Sequence, residues 1–406
     1  MCTATALRII LEWFYNFRVP ENIVGAMMIL STARRAAMAV LGLALVPLAA
    51  CAPASSAHGL KIVATTTQIC DYVTQIAAAS TDLSLDKTDA SGKQSHVGPA
   101  PDSAALTMSL TCLLAPNASA HEHEMTPAQT AALAEADVMA VSGVDLEHFL
   151  DDAVASSGFH GRMVVTSGVL TAADVDKPGA PDPQAPYTID RGNERVEVAP
   201  WPFPPENAGE EPEFRFDPHV WTSPVRASIQ VGNLGAGLAA AAPDAASSIN
   251  AATASYLEDL GALDAWVAEA IETVPEGQRV LFTSHDAFGY FSADYGIRFI
   301  GAALTDFNDQ QDATADHIAS AVQAVKDSGA VALFAENSNN SKSIEAIARG
   351  AGVTPIVGDD ALYGDSLGPE GSAGATYVGS IIHNVRTLTD AWGGTVPALP
   401  ERLAGQ

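Results

Sequence analysis

The sequence predicts an α/β protein of two lobes, each a mostly parallel sheet flanked by helices, joined by one long rigid helix. Short aliphatic runs alternate with helical patterns in both halves of the chain, which is typical of parallel sheets covered by helices. The 406 residues are enough for two cores of ordinary size. Between the halves, the Ala-rich stretch 243–274 carries apolar residues at helical spacing.

The N-terminal lobe is expected over 60–242, with two polar insertions at 81–103 and 174–213. The first insertion is predicted to be a surface segment. The second, rich in Pro, Asp and Glu, is predicted to be a long loop. Thr126 before Pro127 predicts a capped helix start. The predicted strands are 60–67, 109–114, 137–142 and 163–166, and the predicted helices are 69–79, 127 onward, 146–154 and 224–241.

The C-terminal lobe is expected over 275–406, where the alternation of strands and helices restarts. A single helix over 243–274 that crosses between the lobes would make a stiff hinge, so we expect little lobe motion. The predicted strands are 279–283, 298–302, 330–335 and 354–357, and the predicted helices are 287–295, 314–328, 341–350 and 377–392.

The charge balance excludes one class of function. The chain has 48 acidic against 20 basic residues, a formal charge of −28. Nucleic-acid binding is therefore not expected, because it needs a basic footprint. An acidic surface raises the local concentration of cations, although it can also serve only for solubility.

The N-terminus, 1–50, reads as a signal region. A positive Arg34-Arg35 pair precedes the apolar run 36–50, which is too short for an ordinary transmembrane helix. Leu48-Ala49-Ala50-Cys51 resembles a bacterial lipobox, so Cys51 would carry a lipid that anchors the protein outside the cytoplasm. An ordinary secretory peptide cut nearby is the alternative. Residues 1–26 do not match the pattern of a signal peptide, which favours a translation start at Met27 or Met28. Residues 51–59 are predicted to form a short flexible tether.

Of the four cysteines, Cys70 and Cys112 remain once Cys2 and the lipid candidate Cys51 are set aside. Outside the cytoplasm, such a pair is more typical of a disulfide than of two free thiols. Neither cysteine lies in a Cys-x-x-Cys or Cys-His context, which disfavours a metal role.

Four residues in distinctive contexts are candidate metal ligands: His121, His219, His285 and Asp365. Each lies near the end of a predicted strand or in a loop. In α/β proteins, bound ions and small molecules lie outside the carboxyl ends of the strands. Three imidazoles and one carboxylate make a tetrahedral site that suits Zn²⁺. Ligands so far apart in sequence can meet only in a cleft between the lobes.

Neighbouring side chains can orient these ligands. His123 is expected beside the site, pointing differently from His121. Asp286 or Ser284 can accept a hydrogen bond from the second nitrogen of His285 and so select its tautomer. The other histidines are expected at the surface or in the core: His58, His96, His148, His160, His317 and His383.

From 60 to the C-terminus the chain resembles the metal-binding lipoproteins that serve zinc and manganese ABC importers. The matches are complete for Asp217-Pro218-His219-Val220-Trp221 and for His285 before Asp286-Ala287-Phe288-Gly289-Tyr290-Phe291. Asp365 before Ser366-Leu367-Gly368 also matches, and its assignment rests mostly on this resemblance. The segment around His121 matches in part, since Ser119-Ala120 replaces the family's Asp-Pro and Met125 replaces a proline.

The resemblance implies a monomeric, lipid-anchored protein that hands a metal ion to an ABC importer permease. In family members that prefer manganese, the third ligand is typically glutamate, whereas here it is His285, which favours zinc. A closed four-ligand shell leaves no position for water, so no catalysis is expected. The alternatives are a manganese- or iron-binding protein of the same class, a surface adhesin or zinc-storage protein, and a secreted zinc hydrolase using Glu122 or Glu124.

Overall fold

The structure is a computed structural model that describes residues 59–177, 186–202, 214–304 and 314–405. The signal region, the lipidation candidate Cys51 and most of the tether lie outside the described residues. Within these four ranges, none of the helices combines the length and apolar character that a membrane crossing requires.

The first sheet has seven strands in the order β3-β2-β4-β1-β5-β6-β7. All neighbouring strands run parallel except β3, which pairs antiparallel with β2. The strands are β1 Leu60–Ala64, β2 Leu83–Thr88, β3 Gln94–Val97, β4 Leu106–Cys112, β5 Val138–Val141, β6 Arg162–Val165 and β7 Thr188–Asp190. The helices of this region are α1 Thr67–Ala78, α2 Pro127–Ala134, α3 Leu150–Ser157, α4 Ala172–Asp176 and α5 Pro224–Ala241.

The second sheet has four strands in the order β11-β10-β8-β9, all parallel. Its strands are β8 Val280–Thr283, β9 Arg298–Ala302, β10 Ala332–Phe334 and β11 Thr354–Ile356. The remaining helices are α6 Ala246–Glu272, α7 Gly289–Asp294, α8 Ala315–Ser328, α9 Lys342–Ala351 and α10 Tyr377–Ala391. The predicted α/β class with two mostly parallel sheets is confirmed.

The segment 81–103, expected as a polar surface insertion, is mostly exposed but also contains regular secondary structure. Two strands, β2 and β3, lie within it, and β2 pairs along its whole length with β4. Leu83 and Leu85 of β2 are fully buried. Because polar residues flank these two leucines on every side, their alternation was too short to predict a strand.

The long loop expected over 174–213 is also interrupted. Thr188–Asp190 adds strand β7 to the edge of the first sheet. The buried carboxylate of Asp174 pairs with Arg191 at 3.0 Å. Much of the remaining segment, 178–185 and 203–213, lies outside the described residues.

The long helix α6 contacts helices from both halves of the chain. It packs on α5 and α1 of the first sheet and on α10, which follows the second sheet. The apolar stripe predicted for it is buried, including Tyr256, Leu260 and Trp266. Helix α6 begins after the predicted start because Pro243–Ala245 forms a 3₁₀ turn. One hydrophobic core runs from β1 through α6 to Trp392 at the end of α10.

Candidate metal centre

Four loops at the carboxyl edges of the two sheets converge on one point. His121 follows β4, His219 precedes the turn that leads into α5, and His285 follows β8. Asp365 lies in the loop between β11 and α10. Convergence at this edge is expected, since parallel strands place the loops that follow them on the same side of the sheet.

The structure brings together the four residues predicted as ligands. One donor atom from each of His121, His219, His285 and Asp365 lies within 4.8 Å of all the others. His121 Nε2 is 3.1 Å from His219 Nε2, and Asp365 Oδ1 is 3.5 Å from both His219 Nε2 and His285 Nδ1. The four side chains are almost completely buried, each at most 3% exposed.

This donor set fits a divalent cation. Asp365 Oδ1 is buried and accepts no hydrogen bond, which is costly for a carboxylate oxygen unless a cation lies against it. Three imidazole nitrogens and one carboxylate oxygen are the donors that zinc commonly takes in proteins. Among the described residues, this is the one group of such side chains close enough to share a metal ion.

Asp217 orients the imidazole of His219. Its Oδ1 accepts a hydrogen bond from the His219 backbone N–H at 3.0 Å and lies 2.8 Å from His219 Nδ1. A proton on Nδ1 leaves Nε2 deprotonated and turned toward the cluster, the usual arrangement for a metal-binding histidine. The edge of Trp221 packs on the same ring, with centroids 5.4 Å apart.

His285 is held by two carboxylates. Its Nε2 lies 3.4 Å from Oδ1 of Asp286, one of its two predicted partners. Its backbone N–H donates a hydrogen bond to Glu336 Oε1 at 2.8 Å. The second oxygen of Glu336 lies 3.9 Å from His285 Nδ1. Glu336 was not predicted as part of the site, although it directly follows the predicted strand 330–335, which runs parallel to β8 and ends at the same edge of the sheet.

His123 does not join the cluster. Its ring packs edge-on against Phe149, with centroids 5.0 Å apart. His148, in contrast, was expected to have no role near the site. It stacks on Phe214 at 5.3 Å, and Phe214 packs against His121 at 5.5 Å. His148 therefore belongs to the aromatic layer that packs against His121, which was not predicted from the sequence.

Electrostatics favour the metal-binding forms of two residues. Burial lowers the pKa of His121 to about 3, so this imidazole is neutral at pH 7. Burial alone would raise the pKa of Asp365, but the neighbouring histidines His285, His121 and His219 together outweigh it and lower that pKa below its usual range. Burial raises the pKa of the outlying Asp286 to about 7. Metal binding requires neutral imidazole and ionised carboxylate.

Helix α1 ties the Asp365 loop to the first sheet. Gln68 Nε2 donates to the Asp365 carbonyl at 3.0 Å, and the Leu367 N–H donates to Thr67 Oγ1 at 2.9 Å. The same helix carries Cys70, which forms a disulfide with Cys112 at the end of β4. The segment from Cys112 leads directly to His121, so one covalently linked unit supports two of the four candidate ligands.

Comparison with known proteins gives one family. The family described as zinc-uptake complex component A, periplasmic (ZnuA), matches residues 62–391. The manganese-binding lipoprotein MntA of Bacillus subtilis is 30% identical over 285 residues, which cover 70% of this chain and 82% of that protein. The zinc-binding protein TroA of Treponema pallidum is 33% identical over 184 residues, covering 44% of this chain and 58% of that protein.

A solved structure has the same fold. The periplasmic zinc binding protein TroA from Treponema pallidum superposes with a TM-score of 0.58, covering 82% of this chain and 99% of that one. The sequence identity over this match is 23%, so the likeness supports the fold alone.

Proposed function

The chain belongs to the zinc-uptake component A family, and we propose that it captures Zn²⁺ outside the cytoplasm and delivers it to an ABC-type membrane importer. One observation carries this proposal. The donor atoms of His121, His219, His285 and Asp365 lie within 4.8 Å of one another in a buried cluster. The metal ion is the cargo of this protein, and these four side chains would be its ligands.

The donor set favours zinc. Three nitrogens and one oxygen suit zinc, whereas manganese prefers more oxygen donors. His285 occupies the position at which a glutamate would supply a second oxygen. Four protein ligands also close the tetrahedral shell, so no position is left for the water that a zinc hydrolase activates. The proposed role is therefore binding and delivery rather than catalysis.

Manganese uptake is the second candidate. The name of the Bacillus relative, a manganese-binding lipoprotein, favours it. Two further carboxylates, those of Asp286 and Glu336, lie close to His285 and add oxygen atoms near the cluster. Because most sites bind zinc more tightly than manganese, only a site that prefers Mn²⁺ in direct competition would select the second candidate.

The delivery step follows from how the lobes are joined. We propose lobes over 60–242 and 275–406 connected by a helix within 243–274, with a lipid on Cys51 as the membrane anchor. The protein would act as a monomer that docks on the permease of the importer. Helix α6 packs on α1, α5 and α10. Gln68 donates a hydrogen bond to the Asp365 loop, and Thr67 accepts one from it. Release would therefore come from local movement of the ligand loops.

The first experiment measures metal content and Zn²⁺ affinity of the purified protein beside His219→Ala and His285→Ala. We expect one tightly bound zinc in the wild type and a strong loss of affinity in both variants. His160→Ala is the control, because His160 is exposed and outside the cluster. Zinc binding that survives both cluster substitutions would refute the proposed site. Tighter binding of Mn²⁺ than of Zn²⁺ would replace zinc by the second candidate.

A further inference from the structure

The two oxygens of Asp365 have different surroundings. Ser119 Oγ–H donates a hydrogen bond to Asp365 Oδ2 at 2.9 Å, between residues 246 positions apart. Oδ1 accepts no hydrogen bond and faces His219 and His285, each at 3.5 Å. We propose that Ser119 determines metal specificity, because its hydroxyl holds Oδ2 and leaves Asp365 to bind the metal through Oδ1 alone. This inference rests on the proposed function.

The direction of the Ser119 hydroxyl is set by its second contact. The backbone N–H of His121 donates to Ser119 Oγ at 3.3 Å. Since the oxygen already accepts from that amide, its own proton is available for Asp365 Oδ2. One hydroxyl thus links the backbone of the first candidate ligand to the carboxylate of the fourth.

Both partners of this hydrogen bond are held in place. The Asn117 N–H donates to the Leu367 carbonyl at 3.0 Å. Asn337 Nδ2 donates to Asn117 Oδ1 at 2.8 Å and to the Ser366 carbonyl at 3.0 Å. The segment that carries Ser119 is therefore bound to the loop that carries Asp365. These contacts hold the Ser119 hydroxyl close to Asp365 Oδ2.

The consequence concerns coordination number. A carboxylate that binds through one oxygen completes a set of three nitrogens and one oxygen, which is the tetrahedral preference of zinc. A carboxylate that binds through both oxygens adds a fifth donor and a second oxygen, which favours manganese. Oδ2 lies 3.6 Å from His121 Nε2, so it borders the cluster and could reach a metal ion once the hydroxyl is removed.

Cobalt(II) is the probe for this inference, because tetrahedral Co²⁺ absorbs visible light much more strongly than five-coordinate Co²⁺. The spectrum is recorded for the wild type, Ser119→Ala and Ser119→Thr, and Zn²⁺ and Mn²⁺ affinities are measured for each. We expect Ser119→Ala to lose the intense bands and to lower the ratio of zinc to manganese affinity about 10-fold, within the range for residues that orient metal ligands. Ser119→Thr retains the hydroxyl and should restore both readouts.

Ser91→Ala is the matched control, because Ser91 Oγ also donates to a carboxylate oxygen, Asp89 Oδ1, but in an exposed turn. An unchanged cobalt spectrum and affinity ratio in Ser119→Ala would overturn the inference and leave metal binding intact. X-ray absorption of the zinc-loaded wild type needs no variant, and a fifth donor in it would also overturn the inference. Absence of metal binding in the wild type would refute the proposed function and this inference with it.

Discussion

The indole N–H of Trp221 donates a hydrogen bond to the backbone carbonyl of Gly364 at 2.9 Å. Trp221 is two residues after His219, and Gly364 directly precedes Asp365. This hydrogen bond therefore joins the segments of two candidate ligands that lie far apart in the chain. It connects a turn before α5 with a loop after the second sheet.

Replacing Trp221 by Phe tests this connection. The variant keeps an aromatic ring but removes the donor, so the Gly364 carbonyl loses its partner and the Asp365 loop loses one constraint. We expect Zn²⁺ affinity to fall about 10-fold, as for other groups that orient metal ligands. Titration against a competing chelator measures the change.

Trp392→Phe is the control for Trp221→Phe. Trp392 is fully buried, and its indole nitrogen has no hydrogen-bond partner. Its replacement should lower stability through lost packing without changing Zn²⁺ affinity. Equal affinities in the two variants would mean that the hydrogen bond to Gly364 does not position Asp365.

Asp217→Asn tests the orientation of His219. The substitution removes the charge that favours a proton on Nδ1, so a larger fraction of His219 would present the wrong tautomer to the metal. We expect Zn²⁺ affinity to fall by about 10- to 100-fold with little change in the far-UV spectrum. Asp86→Asn is a matched control, because Asp86 contacts His96 Nδ1 at the same 2.8 Å on the exposed β2–β3 hairpin. A similar loss in both variants would point to a general charge effect.

The double variant Cys70→Ala/Cys112→Ala tests the contribution of the disulfide. The bond closes a loop with a sequence separation of 42, and its loss gives the unfolded chain more freedom. We expect the free energy of unfolding of the metal-free protein to fall by about 2–4 kcal/mol, measured by urea denaturation. Stability equal to that of the wild type would show that packing of α1 on β4 suffices without the covalent link.

Solution scattering tests the expectation of small lobe motion. Helix α6 packs on α1 and α5 and also on α10, which follows the second sheet. Two hydrogen bonds, one in each direction, connect α1 to the Asp365 loop. We expect the radius of gyration of the metal-free and zinc-loaded protein to agree within error. A clear decrease on adding Zn²⁺ would indicate hinge closure and would contradict release by loop movement alone.

Local sequence patterns determined much of this protein. Helix α5 was predicted over its observed range, Pro224–Ala241, because a proline at its first position and a long apolar pattern are both local signals. Thr126 caps α2 through a complete capping box for the same reason. Short contexts also indicated the three candidate histidine ligands, whereas Asp365 was assigned mostly from the family resemblance. The four donor atoms meet in the structure, and their binding of a metal stays a prediction.

Only the tertiary structure shows those features that depend on residues distant in sequence. Strand β2 forms because it pairs with β4 and because Leu83 and Leu85 are buried. No local sequence pattern predicts this pairing. Glu336 contacts His285 across 51 residues and Ser119 contacts Asp365 across 246, so the sequence near each residue does not predict its partner. A side chain's own type and neighbours set its propensity and its candidate chemistry. Its hydrogen-bond partners depend on how the two sheets and α6 pack against each other.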